Sequence, residues 1–348
     1  MIGSGDRLDI LHRPYQPGAD TDFHRYRRVA RAVALTVLDF IAYDNPSYHE
    51  SPFAFREYQR AFDQRMTEAD QLFAISGHVG RRLQRQFAHR LVAPVRSILL
   101  GADHLDAPMP ASAAAPPAAL APVAPGQFLL ALGNDFAHKN RDFAARVFAE
   151  LCRRGFQGHL VLAGFHLDTG SSFSYELDAV RHLADRVVRA GPLSPEGKVW
   201  ALRHAAAVLY PTSSEGFGLI PFEAAALGTP TAFVRFGPLV ETLPNVPAAT
   251  GWHVKAFADH VETLIASPAP FLAAVSAARH LLTWQRCASE TIDVYQQMLQ
   301  DDATWHSALT SARRPGDWQR ATELVSEYSR RAGRRLSRLS NLTNRKQR

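Results

Sequence analysis

Glu215 and Glu223 bracket the run Glu215-Gly-Phe-Gly-Leu-Ile-Pro-Phe-Glu223, which continues into Ala-Ala-Ala-Leu-Gly228-Thr-Pro230. The apolar stretch Ala207-Val-Leu-Tyr210 just before it reads as a buried strand. One acid therefore precedes a glycine-flexed turn, and the other falls in the first turn of the helix that follows. Pro221 suits the first helical position, where a missing N–H costs nothing. Gly228 suits the helix exit. Free backbone N–H groups at such a turn favour an anion, most often a phosphate. Two carboxylates beside a phosphate site suit a ligand that carries both phosphate and hydroxyl groups, as a nucleotide sugar does. An ordinary strand–turn–helix unit with two solvated acids is the plainer alternative.

A second run, Gly133-Asn-Asp-Phe-Ala-His-Lys139-Asn140, follows the apolar strand Gln127–Leu132. Ligands of open parallel α/β sheets gather at the carboxyl ends of the strands. A lysine there can neutralise a departing diphosphate, stabilising charge that develops in the transition state. The alternative is a solvated lysine that closes the loop.

The elements that must position these residues follow one rhythm. From residue 126 on, apolar strands (127–132, 159–163, 187–190, 207–210, 231–234) alternate with helical spacings (141–154, 174–184, 195–204), as in a doubly wound parallel sheet. Further helices are expected over 257–266, 269–282 and 286–299. Before residue 106 the pattern is shorter. Strands are expected at 8–11, 33–42, 71–75 and 97–100, with helices at 55–69 and 79–87. Between the two regions, Ala107–Pro125 holds nine alanines and six prolines in nineteen residues. That composition reads as a semi-stiff linker. The expected domains are thus 1–106, the linker 107–125, a second α/β domain over 126–300, and a tail over 301–348.

The chain has 348 residues, 46% of them hydrophobic and 21% charged, which is ordinary for a globular protein. No run of 18 apolar residues predicts a spanning helix. Met1-Ile-Gly-Ser-Gly-Asp-Arg lacks the apolar core of a signal peptide. Cys152 and Cys287 are the only cysteines and have no metal-site spacing, so a reducing, cytoplasmic setting is expected. The formal charge of +6 is concentrated in the tail, where residues 301–348 hold 11 Lys/Arg against 5 Asp/Glu. Trp318, Ala321, Val325, Tyr328, Ala332, Leu336 and Leu339 recur there at spacings of three and four, interleaved with arginines. A basic amphipathic helix over about 317–340 is expected, suited to an anionic membrane surface or to packing on the body. No recognised nucleic-acid-binding fold accompanies it, so no nucleic-acid partner is expected.

The run from Glu215 to Pro230 resembles the signature of the family 4 glycosyltransferases. That resemblance implies an α/β fold of GT-B type, with two Rossmann-like domains of which the first is incomplete here. About four strands precede the linker, and Gly3-Ser-Gly5 is too early to be the family's opening Gly-rich turn. A fragment, a mis-called start and a reduced protein all fit. The resemblance also implies a retaining transfer of a sugar from a nucleoside-diphosphate donor to a hydroxyl acceptor, a glycan or a lipid-linked one. No Asp-x-Asp motif appears, and neither a metal nor another cofactor is expected. Residue by residue, Glu215 would face the donor sugar, and the amides of Gly216, Phe217, Gly218 and Leu219 would hold sugar hydroxyls or diphosphate oxygens. Glu223 would bind the ribose, and Gly133 and Lys139 would lie at the diphosphate. Many members carry an arginine where Asn134 stands. Thr36-Val-Leu-Asp39 resembles the acceptor-side strand, without its usual histidine. Asp39 is an acceptor-side candidate, with a strand-end cap as the alternative. Gly164-Phe-His166 resembles a family loop that often approaches the nucleotide, with a plain strand-to-helix turn as the alternative, and Arg235 faces the same crevice by topology, with a surface arginine as its alternative. Trp284 and the helix after it resemble the family's closing element, which is structural. Two rivals stand beside transfer: a non-catalytic nucleotide- or partner-binding remnant of the fold, and a nucleotide-sugar epimerase.

Overall fold

The computed structural model describes residues 7–18, 22–88, 90–91, 93–104 and 115–311, with side chains as far as residue 300. One compact unit runs to Glu290 and a second begins at Thr291. The first unit holds two parallel sheets. The first sheet is built from β1 (Leu8–Arg13), β2 (Ala30–Val37), β3 (Gln71–Ala74) and β4 (Val95–Ser97), which lie side by side in chain order. Its helices are α1 (Phe23–Val29), α2 (Ile41–Asp44), α3 (Pro52–Glu68) and α4 (Gly77–Gln86).

The second sheet has the order β7-β6-β5-β8-β9, all parallel, from β5 (Phe128–Leu132), β6 (His159–Ala163), β7 (Val187–Gly191), β8 (Ala207–Tyr210) and β9 (Thr231–Phe233). The helices α5 (Arg141–Arg153), α6 (Phe173–Ala179), α7 (Pro195–His204) and α8 (Ile220–Ala226) alternate with these strands. After β9 come α9 (Leu239–Thr242), α10 (Val254–Ala266), α11 (Ala269–Arg279) and α12 (Trp284–Ser311). Strands covered by helices on both faces read as continuous apolar runs. Phe128-Leu-Leu-Ala is buried throughout, as are all four residues of β8. One core lies against α5 and α10 and contains Leu129, Phe148, Leu162, Leu209 and Phe257. The other, around Phe128, Val161, Trp200 and Val208, lies under α7.

Successive strands run outward from β5 in one direction to β6 and β7, and in the other to β8 and β9. The order therefore reverses between β5 and β8, and the crevice at their carboxyl ends is where ligands of such sheets bind. Both candidate runs open from these two strands.

The structure departs from the expected elements in physically readable places. β2 stops at Val37 rather than running to residue 42, because Asp39 Oδ1 accepts from the Ile41 amide at 2.8 Å and starts α2. β4 lies two residues earlier than expected. The helix expected over 174–184 breaks after Ala179, with a 3₁₀ turn over Arg181–Arg186. α1, α2 and α9 were not expected. Part of the Ala/Pro stretch is packed rather than free: Leu120 and Val123 are buried in the α7-side core, and a 3₁₀ turn spans Ala118–Leu120. Two apolar side chains are enough to dock that segment. The amphipathic helix expected over 317–340 lies outside the described residues.

Past β4 the chain passes beneath the second domain's closing helices. Ala102 N donates to Leu282 O (2.8 Å), Arg279 Nε donates to Ala102 O (2.8 Å), and Trp284 N donates to Asp103 Oδ1 (2.9 Å). Gly101 lies so close to Trp284 that a Cβ there would meet the Trp284 backbone nitrogen at 2.3 Å. Trp284 is thus a structural anchor.

Candidate active site

Lys139 and Glu215 meet at the β5/β8 crevice. Lys139 Nζ stands 2.5 Å from Glu215 Oε1, and both side chains are mostly buried (22% and 11% exposed). The local folding that aims Lys139 can be traced residue by residue. Asn140 takes the left-handed conformation (φ 50°) and its Nδ2 donates to Pro211 O at 2.8 Å. The carbonyl of His138 accepts from Ser213 N (2.8 Å) and Thr212 Oγ1 (3.1 Å). The loop after β5 is thereby fastened to the loop after β8, and Lys139 lies between them, 5.8 Å above the Tyr210 ring. Gly133 turns with φ 129° beside the Lys139 stem. Burial, then the Glu215 carboxylate, raise the Tyr210 hydroxyl well above its ordinary pKa, so the phenol under the pair stays neutral.

The turn itself is tight. Gly218 has φ 88°, a region open to glycine. Phe217 is buried, and Leu219 opens α8 with no side-chain cap on the helix. Pro221 falls at the second helical position and Gly228 leaves the helix at φ 86°. Glu223 lies in the first turn, 8% exposed. Its Oε1 is 3.2 Å from His104 Nε2, and its Oε2 is 2.7 Å from Lys198 Nζ. Oε2 is shielded from solvent and faces that ammonium. Lys198, on α7, and His104, beside the strap under α12, belong to no motif. Only the fold joins them to Glu223, so spacing gave no signal for either.

Asp39 comes to the same place from the first domain. Its carboxyl is held above the usual carboxylate range, chiefly by burial, with the Ile41 amide opposing and the Glu215 charge adding to the rise. It does cap α2, and it also lies within electrostatic reach of Glu215 and Lys139. The seam between the domains is narrow here: a Cβ built on Gly216 would stand 2.0 Å from the Leu38 carbonyl oxygen.

A second seam contact involves Tyr48. Its hydroxyl accepts from the His138 amide (2.9 Å) and lies 2.8 Å from His138 Nδ1, while Gly170 packs under its ring. Burial, then the neighbouring Lys139, push His138 down to about 3, so the ring is neutral and Nδ1 accepts from the tyrosine. A third contact joins Glu241 Oε1 to the His78 amide at 3.0 Å.

Three other residues take structural roles. Asn134 Oδ1 accepts from Phe165 N at 3.1 Å. His166 Nδ1 lies 2.6 Å from Asp135 Oδ2, on a buried carboxylate that also accepts from Leu167 N and Ser171 Oγ. Arg235 donates to the Val246 carbonyl and is thereby held within its own domain.

Comparison with known proteins agrees with this architecture. D-inositol 3-phosphate glycosyltransferase of Nocardiopsis dassonvillei is 28% identical over 250 residues, which cover 68% of this chain and 58% of that protein. The same-named protein of Mycolicibacterium paratuberculosis is 31% identical over 158 residues, 42% of this chain and 35% of its own. The chain therefore spans between about a third and three fifths of the length of these curated relatives. Among solved structures, sucrose-phosphate synthase of Thermosynechococcus elongatus superposes with a TM-score of 0.65 at 19% identity, over 84% of this chain and 74% of that one. That likeness gives the fold, which is GT-B. The family described as "Family 4 Glycosyltransferase in conflict systems" matches residues 26–311, and the chain belongs to that family.

Proposed function

We propose that the chain transfers a sugar from a nucleoside-diphosphate donor to a hydroxyl acceptor, with retention at the anomeric carbon and without a metal ion. The observation that carries this reading is the meeting of Lys139 and Glu215 at the point where the strand order reverses. Departure of a nucleoside diphosphate leaves positive charge on the sugar and negative charge on the phosphates. A carboxylate and an ammonium held side by side stabilise those two charges as they separate. The α8 N-terminus, uncapped by any side chain, favours the diphosphate further. The Glu223 carboxylate, which has lone pairs beyond those facing His104 and Lys198, is an acceptor for a ribose hydroxyl. Asp39, its pKa raised, faces the pair from the acceptor side. A glycan or lipid-linked alcohol is the acceptor class, and the basic, amphipathic spacing of residues 317–340 supports delivery at an anionic membrane surface.

The reading also accords with solved proteins of this fold, one of which, Anabaena HepE (TM-score 0.56, 15% identity, over 77% of this chain and 72% of that one), was crystallised with UDP and glucose. Calorimetric titration of the purified chain with UDP and with GDP, in the presence of EDTA, tests the proposal. Saturable binding of one nucleotide, lost in Glu223→Ala and in Lys139→Ala, is expected. Binding of neither nucleotide would leave the donor reading without support.

A further inference from the structure

Glu223 is held from two sides by residues of different elements. Lys198 reaches its Oε2 from the first turn of α7, which starts at Pro195 behind a Ser194 cap. His104 reaches Oε1 from the strap that has just left the first domain and is bonded to Leu282, Arg279 and Trp284. The carboxylate is nearly buried, whereas Lys198 and His104 are about a third exposed, so the ammonium and the imidazole stand at its mouth.

A carboxylate offers about four lone-pair sites on its two oxygens. His104 takes one on Oε1. Lys198 takes one on Oε2, its ammonium 2.7 Å away. The sites that remain match a vicinal diol, which presents two donors side by side. With one partner on each oxygen, rotation of the carboxylate about the last side-chain bond is restricted.

We infer that Lys198 and His104 are positioning residues for the donor's ribose: together they hold the Glu223 carboxylate turned so that its free lone pairs receive the two ribose hydroxyls. The inference rests on the donor reading given above. It adds a selectivity: the chain discriminates against donors that lack a ribose hydroxyl, and it does so through two residues that never touch the nucleotide. It also connects the ribose to the strap, because His104 is adjacent to Asp103, which caps α12.

The test uses the full chain and calorimetric titration with whichever of UDP and GDP the native protein binds, together with the 2′-deoxy and 3′-deoxy forms of that nucleotide. Lys198→Met and His104→Ala are expected to weaken the ribonucleotide about tenfold each, the worth of one charge-assisted hydrogen bond. They are expected to weaken the deoxy forms by a smaller factor, since one of the two hydroxyl contacts is already missing there. Lys198→Arg and His104→Gln retain a donor and should stay within about threefold of native, which separates positioning from a general loss of fold. Equal losses for ribo- and deoxynucleotides, or no loss at all, would overturn the inference while leaving the donor site in place. Native protein that binds neither nucleotide would overturn the donor reading and this inference with it.

Discussion

Gly216→Ala tests whether the narrow seam between the domains matters for transfer. The added methyl would lie 2.0 Å from the Leu38 carbonyl oxygen, 3.0 Å from its carbon and 3.1 Å from Ile75 Cδ1. Cβ atoms essentially never approach other heavy atoms closer than 3.0 Å, so the seam must part by at least 1 Å at this point. Leu38 is backbone at the end of β2 and cannot rotate away. Relief has to come from moving the first domain relative to the turn, or from distorting the turn itself. Overpacking of this kind costs about 1–3 kcal/mol, and the fold should survive. Nucleotide binding, proposed above to rest on Lys139 and Glu223 in the second domain, should change by less than about threefold. The proposed transfer would need acceptor and donor aligned across the seam, and a misplacement of about 1 Å can cost about a hundredfold in rate. Donor binding measured by calorimetry and donor turnover followed by nucleotide release would report the two effects separately. A variant that turns over donor at the native rate would refute the claim that closure at Leu38 assembles the site.

Acid should destabilise the protein in a defined window. His138 is held neutral in the fold to about pH 3, whereas the unfolded chain protonates it below its ordinary 6.5. Stability therefore falls as pH drops from 6.5 towards 3, by up to about 1.4 kcal/mol per pH unit. His12, lowered by burial to about 4, adds in the same direction. Urea midpoints at pH 7 and pH 5 should show the loss, and His138→Gln should flatten it; parallel pH profiles for the two proteins would contradict this. Tyr48→Phe removes the acceptor for the His138 amide and the donor to its ring, and should cost about 1–3 kcal/mol by denaturant melt. An unchanged midpoint would mean that the seam there is dispensable. Leu120→Ala should cost about 2–5 kcal/mol, because the side chain is fully buried against the α7-side core. A loss below about 0.5 kcal/mol, the usual range for surface positions, would show that the segment is a free linker after all.

The second domain was the more legible half of the molecule. Its strands are buried on both faces, so apolar runs such as His159–Ala163 stand out and their ends fall where expected. Lys139 and Glu215 follow from topology, since loops after β5 and β8 must share one crevice. The first domain was harder to read. The apolar run from Val33 passes Thr36 and Leu38 without a break, and only the Asp39 side chain, bonding two residues ahead, ends the strand. Leu120 and Val123 are hidden among alanines and prolines, a composition that reports stiffness and says nothing of docking. Lys198 and His104 illustrate the limit most clearly: they lie 25 and 119 residues from Glu223 in sequence, and no periodicity connects residues that meet only through tertiary packing.

The seam has a kinetic consequence. Leu38 against Gly216, Tyr48 over Gly170 and Glu241 on the His78 amide fasten the first domain to the second at three separated points. If the proposed donor site lies between the domains, release of those fastenings would ease exchange of its ligand with solvent. Parting of such a seam belongs to the microsecond-to-millisecond range of domain motion, which in many enzymes is slower than bond making. Under the proposed function, turnover would then be timed by opening.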